Sequence, residues 1–140
     1  MGKIKLSDTM QFLSGKFNTI AGGGVDLVLE MSGDEIRIGG ELRASAHVKW
    51  PRKAGKIDYL QISLKGQVQR DGKWQPYVQS AEVAHGKDLP ENHEFIVPII
   101  IVIPEDAVLS EDGANWSLYA RAFINKQFDP RAEISFQVLS

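Results

Sequence analysis

Three histidines, two pairs of adjacent loop carboxylates and three tryptophans are the side chains of this chain whose types and spacing could do chemistry. His85 and His93 lie in or beside one loop, with Glu91 and Glu94 close by. Two imidazoles and a carboxylate on one face make a zinc donor set, and these two could meet across the base of the loop. His47 falls on the polar face of a strand pattern and reads as a surface group. The stretch "PEDAVLSEDGAN" carries Glu105, Asp106, Glu111 and Asp112. Calcium wants about six to eight oxygens, but this spacing matches no familiar calcium loop, and a solvated turn is the plainer expectation.

Trp74 follows an Asp71-Gly72 turn and, with Tyr77, could present an exposed aromatic patch to a sugar. Trp50 and Trp116 fall on apolar faces at strand ends and read as core. No G-x-S-x-G elbow and no Walker loop occurs. The glycine run in "AGGGVD" precedes a strand pattern instead of opening a helix, so it offers no helix N-terminus to a phosphate. With no cysteine, a thiolate zinc site, a disulfide scaffold and a cysteine nucleophile are excluded. The sequence therefore points to no catalytic residue, no cofactor and no bound metal, and an enzyme is not expected.

The elements that would position such groups are strands. The 140 residues suit one domain. Charged residues make up 24% and the net charge is −2, which lacks the basic excess of a nucleic-acid binder. From Val25 onward the hydrophobic period is two. Val25, Leu27, Leu29 and Met31 share one face. Leu42, Ala44, Ala46, Val48 and Trp50 share another, and so do Leu60, Ile62, Leu64 and Val68. Alternation of this kind marks antiparallel strands buried on one side. Asp71-Gly72 is the strongest hairpin signal in the chain. Strand patterns in "WSLYARAFI" and "AEISFQVL" follow the carboxylate loop.

"FIVPIIIVI", Phe95 to Ile103, breaks the pattern by being apolar throughout. It is too short for a membrane helix, which needs about 20 residues, and its β-branched content favours a strand. No membrane span is expected. Phe95, Val97, Ile99, Ile101 and Ile103 point one way, and Ile96, Ile100 and Val102 the other. Pro98 cannot donate to a ladder and favours an edge position. The outer face must then be covered within the chain or serve as a protein interface.

Residues 1–24 read as a leader with a short amphipathic helix. Asp8 and Gln11 have capping-box spacing, and Phe12, Phe17 and Ile20 form an apolar stripe that the glycines end. Residues 25–140 read as one sandwich of seven to eight strands. The start has no secretory h-region.

The order of these features resembles the N-terminal sandwich of arrestin-like proteins, above all the bacterial sporulation-control family of that fold. A strand, Val25 to Met31, leads to a Gly-Gly-Glu turn and an alternating strand. "IDYLQISLKGQV" follows with its Leu-x-Gly, then a polar loop, a phenylalanine-led apolar strand ending in Ile-Pro, and a strand holding Tyr119, Ala120 and Ala122. The resemblance runs from about Val25 to Leu139. Ile38 stands where the family tends to have proline, "FIVPIII" lacks a second aromatic, and the family usually has two sandwiches in tandem.

The resemblance implies an all-β, immunoglobulin-like or arrestin-like sandwich, adaptor work in the cytoplasm, and a role in bacterial stress or developmental signalling. The expected function is a non-catalytic protein-interaction or scaffold module, with a protein partner or a second copy docking on Ile96, Ile100 and Val102. Phe12, Phe17 and Ile20 are expected as cover or hand-off. The alternative is a sandwich that binds carbohydrate or calcium.

Overall fold

The structure is a computed structural model, and it describes residues 17–20, 26–50, 55–90, 93–124 and 129–140, with 17–20 and Trp50 described in the backbone only. Its strands are β1 (Phe17–Ile20), β2 (Asp26–Met31), β3 (Glu35–Arg37), β4 (Glu41–Trp50), β5 (Gly55–Arg70), β6 (Lys73–Val83), β7 (Lys87–Leu89), β8 (His93–Val102), β9 (Trp116–Ile124) and β10 (Arg131–Leu139). A single 3-10 turn, Ser110–Asp112, is the one helical element among the described residues. No helix among them is long and apolar enough to cross a membrane.

Two sheets form the layers. The larger runs β1-β10-β9-β5-β6, with β3 joined to β10 and β7 to β5. The smaller runs β2-β4-β8. Pairing is antiparallel except between β10 and β3. This is the expected all-β sandwich, and the alternation explains it. Leu27, Leu29, Leu42, Ala44, Ala46 and Val48 face inward from the smaller sheet, and Leu60, Leu64, Leu118, Ala120, Ile134 and Val138 face them from the larger. All twelve are almost fully removed from water. At about 25 cal/mol for each Å² of apolar surface buried, their burial is the main favourable contribution to folding.

Two local features follow from the sequence. Asp71 and Gly72 both adopt positive φ, 54° and 73°, so a two-residue turn joins Arg70 to its partner Lys73, the type I′ geometry that suits twisted strands. Gly66, in the Leu-x-Gly stretch of β5, lies against the Trp116 ring, where an added Cβ would come within 2.1 Å of a ring carbon. The indole is fully buried, donates its Nε1–H to the Val108 carbonyl at 2.8 Å, and rests near Tyr77 and Phe136. A side chain at position 66 would fill the space the indole needs.

The amphipathic helix expected up to Ile20 is corrected at its C-terminal end. Phe17–Ile20 is strand β1, paired in register with Arg131–Ile134 of β10. Edge pairing fixes these four residues as extended backbone and outweighs a helical spacing too short to hold on its own. Phe12 and the rest of that helix lie outside the described residues.

Candidate interaction site

The two sheets differ in width. β2 packs across β1, β10 and β9, so β4 and β8 extend towards β5. β6 continues the larger sheet one strand further. Its inward-facing residues include Gln79 and Ala81, both exposed, because no strand of the smaller sheet lies over them. Among the described residues one long side of the sandwich is therefore open, with β8 as the free edge of one layer and β6 as the free edge of the other.

Hydrogen bonding fixes which backbone groups are free. The Arg43 carbonyl of β4 accepts the Ser32 N–H from the β2 side, so odd-numbered groups of β4 face β2 and even-numbered ones face β8. The Ile103 N–H donates to Gly40, and the uniform β4–β8 register carries that alternation along the strand. The N–H and C=O groups of Ile96, Ile100 and Val102 consequently point to the open edge. Pro98 falls on the same side, where a missing N–H costs no bond to β4. The same alternation, counted from the Arg70–Lys73 pair, puts Pro76 on the free edge of β6. Each open edge thus carries one proline, a known way to blunt unwanted pairing.

Side chains add to this. Ile96, Ile100 and Val102 sit on the outer face, with 39%, 56% and 55% of their surface exposed. Nothing among the described residues covers them to the extent that a core strand requires. Between the two edges runs an apolar groove of ≈ 210 Å³, floored by Ile62 and walled by Gln79, Ala81, Val97, Ile99 and Ile101. None of its lining residues is charged.

The β2 and β4 half of the same outer face holds a buried polar cluster. His47 Nε2 lies 3.0 Å from Glu30 Oε1 and 3.0 Å from Ser45 Oγ. Its Nδ1 lies 3.3 Å from Glu94 Oε2. His47 is 8% exposed and Glu30 5%, and Glu30 Oε2 has no hydrogen-bond partner. The surface reading of His47 is therefore corrected. Alternation placed it on the outer face, but that face is not open to water there. The cluster has one imidazole and one carboxylate on each side, so each nitrogen meets a single acid.

The other candidate chemistry disperses. Glu94, expected near His85 and His93, turns to His47. His85 lies beside the Tyr59 ring, and Glu91 is outside the described residues. Asp106 binds Arg70 Nε at 2.8 Å, and this hydrogen bond holds its carboxyl below the ordinary carboxylate range. Glu111 and Asp112 sit in the 3-10 turn. Among the described residues no group of three or more histidine, aspartate or glutamate side chains is placed to share a metal ion. Trp74 is 48% exposed, but its register partner is Gln69, on the outer face, whereas Tyr77 pairs with Gly66 on the inner face. The two rings therefore lie on opposite sides of β6 and make no common platform.

Of the expected docking residues, the structure brings Ile96, Ile100 and Val102 together. Phe17 and Ile20 lie in β1, at the opposite edge of the larger sheet from β6. Gln79 and Ala81 were missed in the sequence because a glutamine and an alanine facing inward carry no hydrophobic signal.

These features define a class: an all-β, two-sheet sandwich with one open side. Its structure is similar to that of Spo0M, sporulation control protein, from Bacillus subtilis, with a TM-score of 0.70 and 17% sequence identity over 84% of this chain and 50% of that chain. The chain spans about half the length of that protein. The likeness shows the fold. No family model matches the chain, and no curated protein matches it in sequence.

Proposed function

We propose that this chain is a non-catalytic, adaptor-like protein-interaction module that docks partners through the edge strand β8 and its exposed outer face. The observation that carries this is the placing of Ile96, Ile100 and Val102, three large apolar side chains left open on the free edge of a sheet. Exposed contiguous apolar surface on a soluble domain usually serves binding, and an open edge offers backbone groups to a second strand. The likeness to a sporulation control protein supports a regulatory role, and we place it in the cytoplasm and in bacterial stress or developmental signalling. A second copy of the chain is one candidate for the outer face.

Light scattering over a dilution series tests the reading with Ile100→Lys. The variant is expected to fold like the wild type and to lose the rise in mass with concentration that an exposed apolar face confers. A wild type that stays at 15.5 kDa at every dilution, beside a variant that unfolds, would make β8 ordinary core and end the proposal.

A further inference from the structure

Where β6 overhangs, no described strand of the smaller sheet lies opposite it. The recess left there has a specific shape. One wall is the free backbone edge of β8, the floor is Ile62, and the far side is the uncovered inner face of β6 at Gln79 and Ala81. We propose that this recess takes a single extended segment of a partner protein, which adds a fourth strand to the smaller sheet beside β8 and roofs β6. The inference rests on the docking role of β8 proposed above and names the occupant of its edge.

Three observations select that occupant. First, the wall of the recess is backbone. The free N–H groups of Ile100 and Val102 and the free carbonyls of Pro98, Ile100 and Val102 are matched in full only by another extended chain. Second, the lining from Val97 to Ile101 and from Gln79 to Val83 matches a segment of about five residues, at roughly 3.3 Å each. Third, no charged side chain among the described residues lines the recess. A lysine or glutamate facing inward would lose its water and gain no counter-charge, so the inward positions of the segment must be uncharged, small or β-branched.

A second copy of this chain does not fit the same place. If β8 of one molecule paired with β8 of another about a two-fold axis, the overhanging β6 of each would need the space that β5 of the other already fills. A lone strand meets no such obstacle. Pro98 sets one further condition, because the guest backbone group opposite it finds no donor.

The test uses a pool of capped, uncharged octapeptides with valine, isoleucine or alanine at alternate positions, and a matched pool with lysine at those positions. Amide hydrogen exchange on the full chain is the readout. The uncharged pool is expected to slow exchange of the Ile100 and Val102 amides at least tenfold, and the lysine pool to leave them unchanged. Ala81→Arg, which fills the recess from an exposed position, is expected to abolish protection without altering the melting temperature.

Protection by both pools alike, or by neither, would overturn the inference. Peptide binding that survives Ala81→Arg and is lost in Ile100→Lys would overturn it too, while leaving the docking role of the outer face intact. A rise in mass that is lost in Ala81→Arg would identify a second copy in the recess and likewise overturn it.

Discussion

The two halves of the outer face of the β2-β4-β8 sheet are inverted with respect to each other. On the β2 and β4 half, Glu30, Ser45 and His47 are polar and buried. On the β8 half, Ile96, Ile100 and Val102 are apolar and exposed. A carboxyl group is tolerated in the buried half because an imidazole meets it at 3.0 Å, whereas the apolar side chains of the bare half form a contiguous exposed patch, the kind of surface that usually serves binding. The difference teaches that polarity alone does not report exposure in this sheet. Partners do: His47, Ser45 and one oxygen of Glu30 have found theirs within the chain, and the exposed apolar groups have none among the described residues.

The comparison breaks most severely at His47. His47→Ala leaves Glu30 buried with neither oxygen paired, and removing one member of a buried pair costs about 3–5 kcal/mol. A loss near that size is expected in urea unfolding, and a loss below about 1 kcal/mol would show that the cluster does not hold the buried half together. Pro98→Ala acts on the bare half. It places a new N–H on the free edge, and a guest strand that gains one hydrogen bond of about 1 kcal/mol should bind about fivefold more tightly in the octapeptide assay. Unchanged affinity would mean the guest does not run along β8.

Val102→Thr is a milder probe. Its side chain lies mostly in water, so stability should stay within about 0.5 kcal/mol of wild type, and a larger loss would show that the bare half is covered in solution. The smallest effect is expected at Asp106, in the loop that follows β8. Its carboxyl is held below the ordinary range by the hydrogen bond from Arg70. A group whose folded pKa is depressed stabilises above its unfolded value, about 3.9, and loses that contribution as pH falls through the folded value. Melting temperature should therefore be unaffected by this pair between pH 7 and pH 5, and Asp106→Asn should flatten the decline below pH 4. Equal acid slopes in the two proteins would show that the Arg70–Asp106 pair adds nothing to stability.

Much of the fold was legible because strands announce themselves by a period of two. Leu42, Ala44, Ala46 and Val48 lie on the buried face that alternation assigned them, and Asp71-Gly72 makes the expected hairpin. The double-faced character of β8 was legible for the same reason. Other features depended on neighbours distant in the chain. Phe17–Ile20 is extended only because Ile134 and its neighbours pair with it. β6 has few inward apolar residues because little lies over it, so its pattern was weak. His47 was placed on the correct face, but burial of that face is a tertiary fact. The groove could not be read at all, since it depends on a difference in width between two sheets.

The position of β10 has a consequence for how the chain comes to be folded. This strand is the last of the sandwich in sequence, yet it lies between β9 and β1 and also pairs with β3. Residues near the start of the sandwich thus wait for partners more than a hundred positions away (Phe17 meets Ile134). Loop-closure entropy must be met before those pairings reward it, which makes such topologies slow to form. On a ribosome, the β5–β6 hairpin can close early from neighbouring residues alone, but the larger sheet gains its far edge only when Arg131 to Leu139 have emerged. Until then, β1 and β3 are strands without a sheet, and a chaperone would meet the nascent chain in that state.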